Sequence, residues 1–277
     1  MSSTAIYNDL QEKVIIITGG AGASAGHIGS SISEKLAENG AVPVIWDIAD
    51  EAGQALAQKI EKKGGRAVYV HCDVREPEEV KKAVEQTVSA CHKVDGLVNN
   101  AFWHANEQPP LHEVTLEDWD AHMSINLRCH FIVCKYVIPL LLNQEHSVIL
   151  NIGSTGAHRG EDGYFAYSAA KAGLESLTRN IAAQYGRSGL RCNCLVPGLT
   201  LDPSIYQAIT GSPETKKLFH LIDRGNLLKE GHAVGDDIGD AALFLLSAAS
   251  RAITAQDIVI DYGAISHNPQ WADLRGY

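Results

Sequence analysis

The sequence predicts an α/β fold, doubly wound, with about seven parallel strands and helices on both faces of the sheet. Three observations carry this reading. Short β-branched runs alternate along the chain with helical patterns of ten or more residues. The first run, Val14–Thr18, is apolar without alternation, as a strand covered on both faces should be. Each helix is long enough to serve as the right-handed crossover that two parallel strands require.

The elements follow in order. After Val14–Thr18 comes a Gly/Ala/Ser stretch, then a helical pattern through Ile28, Ile32, Leu36 and Ala37 that stops at Asn39-Gly40. Val42–Trp46 is the second strand, and Asp50–Lys63 an amphipathic helix ended by Gly64-Gly65. Ala67–Cys72 is the third strand, Glu76–His92 the third helix and Val94–Asn99 the fourth strand. Thr115-x-x-Asp118 resembles a capping box and opens a long helix to about Leu142. Strand Val148–Ile152, helix Tyr164–Tyr185 and strand Arg191–Val196 come next. A loop-rich stretch, Pro197–Gly231, precedes a helix near Asp236–Ser247 and the last strand, Asp257–Asp261.

Composition narrows the class. The 277 residues carry 33 acidic against 23 basic side chains, a net charge of -10, and 45% of them are hydrophobic. That share supports a sizeable core in one domain over 1–277 and excludes disorder. The acidic balance argues against nucleic acid or an anionic membrane as partner. The N-terminus has no basic segment followed by an apolar one, so it is not a secretory signal. The longest apolar stretch, Phe131–Leu142, is broken by Lys135 and Pro139 and is too short for a bilayer. Six scattered cysteines, with no C-x-x-C, read as apolar fillers in a reducing cytosol rather than as a disulfide or metal framework. A cytoplasmic protein acting on a small molecule is expected.

In doubly wound sheets ligands bind beyond the carboxyl ends of the strands, and the motifs lie there. Gly19, Gly20, Gly22, Gly26 and Gly29 separate the first strand from the first helix. Glycine lets backbone approach a diphosphate, and the helix N-terminus offers it unpaired N–H groups. Asp47 ends the second strand, where a carboxylate can accept both hydroxyls of a ribose and would repel a 2′-phosphate. NAD is therefore favoured over NADP. Asp73 either accepts from an adenine amino group or caps the helical segment starting at Arg75. Tyr167 and Lys171 are four apart on one helix face, and Ser154 lies just past the fifth strand. A neighbouring ammonium stabilises a phenolate, so Tyr167 can take a proton from an alcohol or return it to a carbonyl.

The ordered set Thr18-Gly19, Asp47, Asp73-Val74, Asn99-Asn100-Ala101, Asn126, Ser154, Tyr167-Ser-Ala-Ala-Lys171, Arg191-x-Asn193 and Pro197-Gly198 resembles the short-chain dehydrogenase/reductase family from about Lys13 to Gly263. The resemblance implies a single Rossmann-type domain, a nicotinamide cofactor and a homotetramer or homodimer. It implies that Tyr167 is the acid/base, that Lys171 lowers its pKa and binds the nicotinamide ribose, that Ser154 orients the substrate oxygen, and that Asn126 holds a water of the proton relay. It adds Ile28, Val74, Asn100, Ala101, Pro197, Gly198 and Thr200 to the cofactor residues.

The chain departs from the family pattern in four places. The glycine turn is long, ten positions from Gly19 to Gly29, which leaves open whether Gly22 or Gly26 faces the diphosphate. That length is closer to the divergent, enoyl-reductase branch, whose tyrosine–lysine spacing Tyr164 and Lys171 also satisfy. Tyr167 is favoured because Ser154 precedes it by the thirteen positions of the alcohol-oxidising branch, leaving Tyr164 on the substrate side. Phe102 replaces the glycine expected after Ala101, and Asp202 stands where a threonine often meets the carboxamide, a place Thr200 can take. Lys171 argues against a cofactor-free dehalogenase, which normally has arginine there, and the intact Ser154/Tyr167/Lys171 set argues against a nucleotide sensor without turnover.

Trp103, His104, His158, Arg159, Glu161 and Asp162 fall on loops near the expected mouth, where loops set specificity. The segment 197–231, with His220 and Arg224, reads as a lid, and a polar secondary alcohol such as a sugar or polyol, rather than a steroid-like ring, is the expected substrate. The tail 264–277, with Trp271, is a loose end or an arm on a neighbouring subunit. No histidine spacing suggests a metal.

Overall fold

A computed structural model describes residues 7–22, 26–103, 109–160, 162–209, 216, 225–228 and 232–267. Seven strands, β1 (Val14–Thr18), β2 (Val42–Asp47), β3 (Val68–His71), β4 (Gly96–Asn99), β5 (Ser147–Ile152), β6 (Leu190–Pro197) and β7 (Asp257–Ile260), form one sheet in the order β3-β2-β1-β4-β5-β6-β7. Every pairing is parallel. The order reverses between β1 and β4, which opens a crevice at their carboxyl ends. Thr18 sits there, in register with Trp46 on one side and Asn99 on the other.

The helices are α1 (Ile28–Glu38), α2 (Asp50–Lys62), α3 (Pro77–Cys91), α4 (Leu116–Met123), α5 (Cys129–Leu141), α6 (Phe165–Tyr185), α7 (Pro203–Ile209) and α8 (Gly235–Leu246). Period-two alternation divides the strands between two cores. Val14, Ile16, Val44, Trp46, Leu97 and Ile149 pack with Val80 of α3, Val133 and Val137 of α5 and Ile181 of α6. Ile15, Ile17, Val98 and Leu150 face the other way, onto Ile32 and Leu36 of α1 and Ile238 and Leu243 of α8. Because both faces are covered, the central strands are largely apolar on both sides, as in Val14–Ile17 of β1.

The long helix expected from Thr115 to Leu142 runs from Leu116 to Leu141 as α4 and α5, continuous through a wide π turn, Ser124–Arg128. Its start is as expected, since the Thr115 side chain accepts from the Asp118 N–H. The run Leu116–Leu141 is long and apolar enough to cross a membrane by length and composition, but half of it is buried against the rest of the protein, as a core helix is. A buried polar ladder also crosses the sheet. Asn99 on β4 donates to Asn151 on β5 at 2.8 Å, and Asn151 donates to Thr178 on α6 at 2.8 Å. All three side chains are fully buried, so the ladder ties α6 to the strands that end at the crevice.

Candidate active site

The site grows from the β1–α1 turn. Gly19 and Gly22 have φ of 61° and 64°, values that favour glycine. A side chain on Gly29 would run into the carbonyl oxygen of Gly19, and one on Gly22 into Ser30 in the first turn of α1. Gly26 instead backs onto the Thr200 carbonyl oxygen, 2.9 Å from where its Cβ would be. This separates the two glycines that the spacing left equivalent: Gly22 lies against α1 and Gly26 against the loop after β6. Helix α1 starts at Ile28 after His27, whose side chain makes no capping hydrogen bond to its first N–H groups.

Asp47 is buried at the end of β2, where Oδ2 accepts from Ala21 N–H and Oδ1 from Ala49 N–H, each at 3.0 Å. Each oxygen keeps a second acceptor position. Asn100 donates from one amide nitrogen to the Thr18 and Gly19 carbonyl oxygens, at 3.1 and 2.9 Å, and its own buried Oδ1 has no partner. The Thr18 hydroxyl accepts from the N–H groups of Asn100 and Ala101. A glycine cradle, an uncapped helix N-terminus, a diol-accepting carboxylate and an orphaned acceptor fit a dinucleotide: α1 and Gly22 would hold its diphosphate and Asp47 a ribose.

One reading needs correction: Asp73 does not cap α3, whose preceding residue is Glu76; its Oδ1 accepts the Arg75 N–H at 3.0 Å and its carboxylate pairs with the Arg75 guanidinium at 2.5 Å, which holds the carboxyl below the usual range. The Val74 and Ile28 side chains are buried in the two cores.

At the chemical end, Ser154 leaves β5 and opens the one-turn helix Thr155–Ala157. Its Oγ accepts from Gly156 N–H at 3.2 Å, which leaves the hydroxyl hydrogen to donate elsewhere. Tyr167 is half-buried on α6, and Lys171, one turn on, is 1% exposed. The ammonium lies 5.7 Å from the centre of the Tyr167 ring and donates to the Ile152 carbonyl oxygen at 2.8 Å. Burial pulls the Lys171 pKa from 10.5 to about 8. Tyr164 stands just before α6, and the Ser168 N–H bonds its carbonyl oxygen.

Asn126 sits fully buried in the π turn, a distortion frequent at functional sites. Its side chain is committed to Trp103: Nδ2 donates to the Trp103 carbonyl oxygen at 2.9 Å and Oδ1 accepts its N–H at 3.3 Å.

Pro197 ends β6, and Gly198 packs so tightly on Asp261 that a Cβ there would lie 2.7 Å from the aspartate's. The Thr200 hydroxyl donates to the Gly198 carbonyl oxygen, while Asp202 caps α7 through Ser204 N–H at 2.8 Å. His158 turns to Glu175, with Nε2 2.8 Å from Oε1 but poorly aligned for a hydrogen bond. Desolvation raises the Glu175 pKa, partly offset by His158. Arg159 and Asp162 are exposed. His104, Glu161, His220, Arg224, Trp271, about half of the expected lid and most of the tail lie outside the described residues. No group of three or more His, Cys, Asp or Glu able to hold a metal occurs among the described residues.

The sequence reading missed the Asn99–Asn151–Thr178 ladder, the commitment of Asn126 to Trp103 and the placing of Phe102 beside Lys171, where its ring centre is 5.9 Å from the ammonium. Only the last had a local signal, an aromatic where the family pattern has glycine.

Fold and site together have the form of a dinucleotide-binding oxidoreductase, and comparison agrees. The family model described as Enoyl-(Acyl carrier protein) reductase matches residues 20–264. Tropinone reductase-like 1 of Erythroxylum coca is 34% identical over 96% of this chain and 95% of its own length. The 2,5-dichloro-2,5-cyclohexadiene-1,4-diol dehydrogenase of Sphingobium indicum is 34% identical over 92% of this chain and 98% of its own. The crystal structure of levodione reductase superposes with a TM-score of 0.83 at 27% identity, covering 93% of this chain and 99% of that one. The chain belongs to the short-chain dehydrogenase/reductase family and is an oxidoreductase.

Proposed function

We propose that the protein oxidises a secondary alcohol to a ketone with NAD, and runs the reverse reaction, with Tyr167 as acid/base. The observation that carries this reading is the Lys171 ammonium, buried and set 5.7 Å from the Tyr167 ring. A positive charge in a poorly solvated place favours the phenolate, the form that accepts the alcohol proton. Ser154 donates its hydroxyl hydrogen to the substrate oxygen and holds it toward Tyr167. Through the Ile152 carbonyl oxygen, β5 fixes the ammonium, so the charge stays beside the phenol. A bound nicotinamide supplies the hydride acceptor. The alcohol's proton goes to the Tyr167 phenolate, which becomes the phenol.

Asp47 supports NAD over NADP, because a buried carboxylate at the ribose position repels a 2′-phosphate. The relay water, if Asn126 holds one, falls to its backbone in this proposal, since the side chain is spoken for. A polar hydroxylated substrate remains the reading, and one relative's name includes a cyclic diol. A cytoplasmic location is part of the proposal, supported by six free cysteines, as is a homotetramer or homodimer, supported by exposed Phe131 on α5. The test is NADH formation with a panel of secondary alcohols. Turnover that Tyr167→Phe leaves intact would remove the proposed base.

An enoyl reductase using Tyr164 is the second reading, favoured by the description of the matching family model and by the long glycine turn. NADH consumption with α,β-unsaturated thioesters, lost in Tyr164→Phe but kept in Tyr167→Phe, would select it.

A further inference from the structure

The turn after β4 carries two consecutive aromatic residues, Phe102 and Trp103, both substantially exposed at 38% and 46%. Exposed apolar residues are ordinary when scattered singly. These two are adjacent, and they are held. The buried Asn126 amide takes both backbone polar groups of Trp103, and the indole leans on the His122 ring with 4.9 Å between centres. Phe102 is fixed to the reaction centre from the other side, its ring centre 5.9 Å from the same Lys171 ammonium that lies 5.7 Å from the Tyr167 ring. The Phe102 ring is therefore placed beside the ammonium that neighbours the acid/base, and Trp103 next to it is held in advance by Asn126 and His122, at a turn whose family pattern has glycine.

We propose that Phe102 and Trp103 are the platform on which the substrate's ring lies, so that the protein selects cyclic secondary alcohols, carbocyclic or pyranose, over open-chain polyols. The inference rests on the reading of Tyr167 as acid/base and adds the substrate class to it. An aromatic face is electron-rich, and the partly positive C–H edges of a saturated ring lie well against it at the separations found for stacked rings. A cyclic alcohol brings a rigid apolar face and loses little freedom on binding. An open-chain polyol of equal carbon count must freeze several torsions and presents hydroxyls where the platform offers no partner. The crevice still receives the one reacting oxygen at Ser154 and Tyr167.

The experiment compares kcat/KM for cyclohexane-1,2-diol and hexane-3,4-diol in the wild type, Phe102→Gly, Phe102→Tyr and Trp103→Ala. The wild type should prefer the cyclic diol by roughly tenfold or more. Phe102→Gly should remove most of that preference through KM, and Phe102→Tyr, which keeps the face, should retain it. Saturation-transfer NMR with cyclohexanone and NAD reads the same contact without turnover, so loss of the redox reading leaves the platform testable. Equal losses for both diols overturn the proposal. So does a Phe102→Gly protein whose NAD affinity falls while its cyclic preference stays, because the ring would then serve the cofactor. A surviving reaction in Tyr167→Phe with an intact cyclic preference would sink the acid/base and not the platform.

Discussion

Lys171 reaches back one helical turn to Tyr167 and sideways to β5, its ammonium 5.7 Å from the phenol ring centre and 2.8 Å from the Ile152 carbonyl oxygen. No hydrogen bond to a carboxylate is described for this ammonium, whose partners are a carbonyl dipole and two aromatic rings. The charge is therefore costly to keep, which is why burial lowers its pKa to about 8.

That value sets a pH dependence. The ammonium is present below about pH 8 and lost above it, so kcat/KM, which reports the free enzyme, should fall on the alkaline side from near pH 8. Lys171→Arg, protonated throughout, should move that limb upward even if its rates are lower. Stability should run the other way. The unfolded chain keeps the proton up to pH 10.5 and the folded one only to about 8, so stability rises with pH across that window. Urea denaturation from pH 8 to 10, with Lys171→Met as the reference, isolates this slope.

Asp47 has a double duty, holding the Ala21 and Ala49 N–H groups while facing the crevice. Asp47→Ser should weaken NAD binding by roughly tenfold or more and narrow the preference over NADP, since a charged hydrogen bond is worth about 1.5–3 kcal/mol. Isothermal titration with both cofactors checks it; an unchanged NAD affinity would remove Asp47 from the site.

The Asn99–Asn151–Thr178 ladder gives a prediction about stability rather than chemistry. Asn151→Ala takes one acceptor from the Asn99 amide, which keeps its bond to Cys134 Sγ, and one donor from the Thr178 hydroxyl oxygen, which still donates to the Leu174 carbonyl oxygen, at a cost of about 1–3 kcal/mol in a dry core. The urea midpoint should drop accordingly, whereas Tyr167→Phe should leave it nearly unchanged.

The fold was legible because its signals are local. The β-branched run Val14–Thr18 and the helix start capped by Thr115 depend on neighbours in sequence, and both are found where they were read. The helix begun at Thr115 runs on to Leu141 as read, but nothing local marks the π turn around Asn126; a distant backbone, that of Trp103, is what Asn126 binds there. Spacing brought Ser154, Tyr167 and Lys171 to one end of the sheet. It could not foresee that Asp73 would turn to Arg75, or His158 to Glu175, since each choice of partner is settled by burial and charge in three dimensions.

The most direct test of the proton-transfer claim is one pair of substitutions in one assay. Oxidation of a secondary alcohol by NAD is followed in Tyr167→Phe and Tyr164→Phe, with circular dichroism confirming that both fold. The account predicts a loss of roughly 10²–10⁴-fold in kcat for Tyr167→Phe and less than tenfold for Tyr164→Phe. Wild-type rates in Tyr167→Phe, or the larger loss in Tyr164→Phe, would contradict it.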